Sequence, residues 1–302
     1  MRRTFILLVL FAAAATAAEL PTPDGALLRY ETFGKGDPVI VLSGGPGFSS
    51  AYMLPVAQHI GATKHMAVLL DQRGTGRSTV SAYSPETVNV DAFVADLELL
   101  RAKLGAEKVS FVGHSWGGML AMSYAAAHPE RVKSLVLVAS GGPNAAFMMP
   151  FVARLTARNT AEDTAKINEW SSEERRKENP KRAVLEITKA RTPAYFHDRS
   201  KARLLTDPMD ETSFEPRVLE NMLRSLMTWN VAPAMKTLAA PVLIIEGDDD
   251  PVGTFSMLRE TFPSSRAAMI PAAGHFLWLE QPTLLWAVID PFLAADATPA
   301  KP

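Results

Sequence analysis

Residues 109–120 read Val109-Ser110-Phe111-Val112-Gly113-His114-Ser115-Trp116-Gly117-Gly118-Met119-Leu120, a short apolar run that breaks at a glycine-flanked serine and passes at once into a helical pattern. Val109–Val112 has the length and β-branched character of a buried strand, and Gly117–Ala127 is small and apolar throughout, as expected of a helix packed on a sheet. Gly113, Ser115 and Gly117 match G-x-S-x-G. A serine at a tight strand-to-helix turn is forced into a strained backbone conformation that lifts its hydroxyl above the sheet, and glycines two residues to either side relieve the crowding. The stretch therefore predicts an α/β architecture and a candidate nucleophile, Ser115.

Working outward, similar runs occur at Leu27–Thr32, Val39–Leu42, Met66–Leu70, Leu135–Ala139, Val242–Glu246 and Ala267–Ile270. Helical patterns fill most of the gaps; Asp91–Leu104 puts Phe93, Val94, Leu97, Leu100 and Leu104 on one face. The alternation predicts a mostly parallel central sheet. Strand-like runs stop between about Gly141 and Ala240, where a charged helical pattern takes over with Glu162, Asp163, Lys166, Glu169 and Glu173–Glu178 as solvated faces. An inserted helical cap is expected at 142–236, with the core formed by 19–141 and 237–302. Asp296–Pro302 reads as a short disordered tail.

Further chemistry gathers just past the other strand runs. Ser43-Gly44-Gly45-Pro46-Gly47 follows Val39–Leu42, and stacked glycines let main-chain N–H groups face a substrate oxygen. The N–H groups of Gly45 and Trp116 are the expected oxyanion donors. Gly247-Asp248-Asp249-Asp250-Pro251 follows Val242–Glu246, and Gly274-His275-Phe276 follows Ala267–Ile270. Serine, then acid, then histidine is the chain order of α/β-hydrolases, with all three residues past strand ends where they can meet at one sheet edge. Three adjacent aspartates leave the acid open; the G-x-x-D spacing favours Asp250 over Asp248 and Asp249. His275, oriented by the acid, would then take the Ser115 proton as the serine attacks an amide or ester carbonyl.

Composition narrows the alternatives. The 302 residues contain no Cys, which excludes disulfides, thiolate-ligated zinc, iron–sulfur clusters and a cysteine nucleophile. Lys and Arg number 31 against 32 Asp and Glu, so the basic excess of a nucleic-acid binder is missing. His59, His65, His114, His128 and His197 show no ligand spacing, and neither a metal nor a cofactor is expected. Met1-Arg2-Arg3, the apolar run Phe5–Ala15 and the small residues Ala15-Thr16-Ala17-Ala18 read as a signal peptide over 1–18, cleaved after Ala17 or Ala18. The protein is accordingly expected in a periplasm or the medium, with no membrane span left after cleavage and no reading of its oligomeric state. The apolar run is shorter than the ~20 residues that span a bilayer.

Ser-Gly-Gly-Pro-Gly at 43–47, Asp71-Gln72-Arg73-Gly74-Thr75-Gly76-Arg77-Ser78, Gly-His-Ser-Trp-Gly-Gly at 113–118 and Gly-His-Phe at 274–276, in this order, resemble the proline iminopeptidase family of α/β-hydrolases. Ser43 stands where many relatives have His. The resemblance covers about Asp24–Gly142 and Ala239–Pro291 and implies an α/β-hydrolase fold and a serine peptidase that removes an N-terminal residue, often proline, from short peptides. It also implies cap carboxylates that hold the substrate's free amino group, for which Glu215 and Glu220 are the candidates. Cap aromatics and methionines such as Phe147, Phe151 and Trp229 would line the entrance. Asp71 and Arg73 are expected to brace a turn beneath the site. Two other readings use the same core: an ester hydrolase of carboxylesterase or lipase type, and a non-catalytic binding protein on a hydrolase scaffold.

Overall fold

The computed structural model describes residues 15–296. Most of the expected signal segment and the tail 297–302 lie outside them. Among the described residues, eight strands form one sheet in the order β1-β2-β4-β3-β5-β6-β7-β8. They are β1 (Thr16–Pro21), β2 (Leu27–Gly34), β3 (Asp37–Leu42), β4 (His65–Asp71), β5 (Val109–His114), β6 (Val132–Val138), β7 (Val242–Gly247) and β8 (Arg266–Ile270). β1 and β2 pair antiparallel at one edge, and every pairing from β4 to β8 is parallel.

Helices cover both faces, which is why the central strands β5 and β7 are buried at every position. The period of two splits each strand between two cores. Ile40, Leu42, Val109 and Phe111 pack with α2 (Val90–Lys103) and α3 (Trp116–Ala127), whereas Val39, Val41 and Val112 face α1 (Leu54–Gly61) and the C-terminal helix (Pro282–Asp296). Asn89 starts α2 by accepting the Ala92 N–H, and Arg101 and Lys103 sit in its last turn, where the helix dipole favours cations.

Every sequence-predicted strand is present, with ends shifted by a few residues. Ala139 is the exception with a physical reason: it leaves β6 in a left-handed conformation, φ 46°, as the chain turns toward the cap. β1 falls where the sequence suggested the end of a signal peptide. Its register runs from Thr16↔Thr32 to Pro21↔Leu27, so the residues after either expected cleavage point keep the pairs Glu19↔Arg29, Leu20↔Leu28 and Pro21↔Leu27. Asp296, read as the start of the tail, is the last residue of the C-terminal helix.

Between β6 and β7 the chain is helical. Its longer helices are α4 (Met148–Ala157), α5 (Ala161–Trp170), α6 (Glu173–Glu178), α7 (Pro180–Arg191) and, later, α8 (Pro216–Met227). Thr160 and Asp163 form a capping box at the start of α5, which fits a helix with no buried residue and little other support. α8 is amphipathic: Val218, Met222 and Leu226, four residues apart, are buried. No helix among the described residues is long and apolar enough to cross a membrane.

Candidate active site

β5 delivers Ser115 into a turn that only glycines permit on either side. Ser115 takes φ 55° and ψ −119°, a conformation that costs a side-chain-bearing residue of the order of 1–3 kcal/mol. A Cβ on Gly113 would sit 2.4 Å from the Gly117 carbonyl oxygen, and one on Gly117 would sit 2.3 Å from that of Leu42. Neither backbone neighbour can give way. The carbonyl of Ser115 accepts from Gly118 and Gly141, so the strained turn is tied from both the helix and the β6 side.

Gly44 lies directly against the serine, a Cβ there meeting that of Ser115 at 3.0 Å. The next residue, Gly45, has φ 118°, beyond the reach of most side chains. Among the described residues, the N–H groups of Gly45 and Trp116 have no protein acceptor. Orphan donors beside a strained serine are what an oxyanion site needs.

His275 and Asp250 lie side by side past the ends of β8 and β7. His275 Nδ1 lies 3.1 and 3.0 Å from the two Asp250 oxygens, and both side chains are almost wholly buried. The three aspartates are separated by their partners. Asp250 holds His275 and also accepts the Val252 N–H, Asp249 is paired with Arg158 and His197, and Asp248 has only a 3.4 Å contact from the Ala273 N–H. His275 Nε2 has no hydrogen-bond partner among the described residues and is left for an incoming proton.

A hydrogen-bond chain absent from the sequence reading links the loops. The Gly44 N–H donates to the Tyr52 hydroxyl, Tyr52 donates to His114 Nδ1 at 2.8 Å, and His114 Nε2 donates to the His275 carbonyl at 3.1 Å. The order of roles follows from chemistry: a carbonyl only accepts, so Nε2 carries the hydrogen and Nδ1 must accept. Burial, together with the adjacent His275, holds His114 far below the usual histidine range, so it stays neutral. Gln72 adds a second brace, donating to the Ser43 carbonyl at 2.8 Å and accepting the Trp116 indole N–H at 2.8 Å. Its motif was legible, but its role was not, because both partners are distant in sequence.

Asp71 and Arg73 take the bracing positions expected of them. Asp71 accepts from the Ser50 N–H and hydroxyl at 2.9 and 2.7 Å, and buried Arg73 forks onto Asp96 at 2.7 and 2.6 Å. Behind the acid, Glu246 accepts two hydrogen bonds from Thr254. Burial, with the Asp250 charge nearby, pushes its carboxyl up to about 8.

The cap candidates fare differently. Glu215 donates its N–H to the Gly47 carbonyl at 2.9 Å, which places its backbone on the oxyanion loop, but its carboxylate is forked by Arg217 at 2.7 and 2.6 Å. Glu220 is exposed on α8, turned away from the stripe of Val218 and Met222. Trp229 corrects the expectation that it lines the entrance: it is 7% exposed, packs in the core beside α3 and donates its indole N–H to Ser123 at 2.9 Å. An indole buried with its one donor satisfied is a packing residue. Nearer to His275 are Phe151 and Tyr195, whose rings lie 6.1 Å apart, with Tyr195 5.2 Å from His275.

Residues 37–282 match the alpha/beta hydrolase fold family. A probable proline iminopeptidase of Streptomyces coelicolor is 44% identical over 135 residues, which cover 40% of this chain and 40% of that relative's length. A Caulobacter sp. (strain K31) protein provisionally named as the carbamate hydrolase RutD is 26% identical over 264 residues, covering 85% of this chain and 91% of its own. The crystal structure of a proline iminopeptidase-related protein from Thermus thermophilus superposes with a TM-score of 0.73 at 24% identity, over 94% of this chain and 99% of that one. The chain spans less than half the length of the Streptomyces relative it matches. It belongs to the α/β-hydrolase family, and its likenesses within that family include proline iminopeptidases.

Proposed function

We propose that this protein is a serine hydrolase that works through an acyl-enzyme, and that it is an aminopeptidase of the proline iminopeptidase type. The observation that carries the proposal is the combination of Ser115 at φ 55° against Gly44, the unbonded N–H groups of Gly45 and Trp116, and the His275–Asp250 pair, tied back to Gly44 through His114 and Tyr52. Asp250 accepts the hydrogen on His275 Nδ1 and so directs the Nε2 lone pair toward the serine. Nε2 takes the Ser115 proton as Oγ attacks the carbonyl carbon, and the two backbone N–H groups receive the negative charge that develops on oxygen. The imidazolium returns the proton to the departing amine. Water, activated by the same nitrogen, then hydrolyses the acyl-serine.

The likeness to iminopeptidases and the position of Glu215 on the oxyanion loop support an N-terminal amino acid as the acyl group. Arg217, which holds Glu215, is half exposed and can be displaced by a substrate ammonium at small cost. A second reading is favoured by one feature: the Glu215 carboxylate is already paired with Arg217, and a neutral acyl group, as in an ester hydrolase, would not have to displace that partner. Comparing kcat/KM for a prolyl-arylamide with that for a butyryl ester separates the two. A higher value for the arylamide supports the peptidase, and turnover of the ester alone overturns it.

We also propose that residues 1–18 direct export. N-terminal sequencing of the protein from fractionated cells is expected to begin at Ala18 or Glu19, outside the cytoplasm; an intact chain beginning at Met1 in the cytoplasmic fraction would overturn this.

A further inference from the structure

The turn that carries Asp250 is braced from the cap. Two arginines of α4 and its C-terminal end, one helical turn apart, reach it. Arg154 donates from Nε to the Pro251 carbonyl at 2.7 Å and from its terminal nitrogen to that of Val252. Its guanidinium lies flat enough against the chain that a Cβ on Gly253, at φ 60°, would sit 2.9 Å from it. Arg158 forks onto Asp249, the residue before the candidate acid, at 2.7 and 3.0 Å. The same guanidinium donates to the Ala194 carbonyl at 2.6 Å and to the Phe196 carbonyl at 2.9 Å. Between those two carbonyls stands that of Tyr195, which accepts the His275 N–H at 2.8 Å.

One planar group thus holds the chain on both sides of the dyad: the side chain adjoining Asp250 and the cap segment on which the His275 backbone hangs. We propose that Arg158 is a positioning residue of the Asp250–His275 pair, so that the cap sets the geometry of the base as well as covering the site. Four hydrogen bonds leave this guanidinium, in the fixed fork that arginine presents and lysine cannot. The pair is also partly exposed, at 27% for Arg158 and 38% for Asp249, so its worth to overall stability is small. A dyad displaced by an ångström, by contrast, loses a large share of its rate. The two roles therefore predict different phenotypes: an anchor for the cap changes stability and KM, and a positioning residue changes kcat.

The inference rests on Ser115, His275 and Asp250 forming the catalytic triad, and the experiment keeps the two apart. Ser115→Ala, Arg158→Ala, Asp249→Asn and the Arg158→Ala/Asp249→Asn double variant are compared with the wild type by circular dichroism, by steady-state kinetics and by the rate of inactivation with a fluorophosphonate probe. Arg158→Ala is expected to fold, to lose about 10- to 100-fold in kcat with KM nearly unchanged, and to lose the same factor in probe reactivity. Guanidinium ion at millimolar concentration should restore part of both, and the double variant should be no worse than Arg158→Ala alone. Should Arg158→Ala fail to fold, Arg158→Lys takes its place with the same expected loss, since one ammonium cannot span the acid turn and the 194–196 segment. Wild-type kcat and probe reactivity in a folded Arg158 variant, or a loss confined to KM, overturn the inference while Ser115→Ala remains inactive. Activity in Ser115→Ala overturns the triad itself.

Discussion

Ser115 and Asp250 stand at the ends of β5 and β7, two strands apart in one sheet, yet they are held by opposite means. The serine is fixed by close backbone packing: Gly113 lets β5 and α3 close on each other, Gly117 and Gly118 let α3 meet Leu42 and Ser140, and the strained φ of Ser115 persists because the backbone around it has nowhere else to go. The acid and base are fixed from outside. Their loops hang on cap residues, Arg154 and Arg158 on one side and the Tyr195 carbonyl on the other, with Tyr52 and His114 linking the histidine back to the oxyanion loop. The serine turn is held by backbone packed against backbone, whereas the turn of Asp250 draws on cap side chains about a hundred positions away. Changes to the cap are therefore expected to affect Asp250 and His275 before they affect Ser115.

The largest effect is expected at Ser115 itself. Ser115→Ala is expected to reduce kcat by a factor on the order of 10⁶, as removal of a triad serine does elsewhere, with the fold intact by circular dichroism. Next in size, Asp250→Asn should cost about 10⁴ in kcat by stabilising the wrong histidine tautomer. Asp248→Asn, whose carboxylate accepts only a long hydrogen bond among the described residues, should remain within a few-fold of wild type in the same assay. Equal losses in the two would show that the acid turn does not discriminate as its hydrogen bonds indicate.

Gly117→Ala tests the backbone packing around Ser115 through stability. Its Cβ would fall 2.3 Å from a backbone oxygen, so a loss of about 3 kcal/mol in urea unfolding is expected, at the upper end for overpacking. An unchanged midpoint would mean that the elbow can relax. The smallest effect concerns Glu246. Its carboxyl is raised to about 8 from an ordinary 4.5, so the folded state binds the proton more tightly than the unfolded chain. The stability this contributes is complete below about pH 4.5 and is lost as pH rises through about 8, at no more than about 1.4 kcal/mol per pH unit. Glu246→Gln, which keeps an acceptor for Thr254, should flatten the fall in melting temperature between pH 6 and 9; an identical slope in both proteins would place the ionised carboxylate in the native state.

How much was legible follows the same division. Val109–Gly118 was readable because strand period, glycine spacing and helix onset are all local, and the other parallel strands were readable for the same reason. β1 was missed because Ala15–Ala18 carry a stronger targeting pattern than strand pattern, and an edge strand that is mostly exposed has little apolar alternation to read. Ser115 and His275 could be named from their turns. Choosing Asp250 among three neighbours rested on spacing alone, and it is the partners of Asp248 and Asp249 that separate the three. Trp229 was misplaced because an aromatic in a cap has the same local signature whether it lines an entrance or packs on α3. Tyr52 and Arg158 carried no signal at all and Gln72 only its place in a motif, since each acts on groups tens of residues distant.

The α/β alternation, the strained turn at Ser115, the glycine-rich loop at 43–47 and the order Ser115, Asp250, His275 are written in the chain alone, because each depends on the backbone preferences of a few consecutive residues. The tertiary structure alone decided which aspartate meets His275, which tautomer His114 adopts, that Glu215 is already held by Arg217, and that the cap grips the acid turn. Those outcomes depend on where chains cross, and side-chain hydrogen bonds reach only about 3 Å.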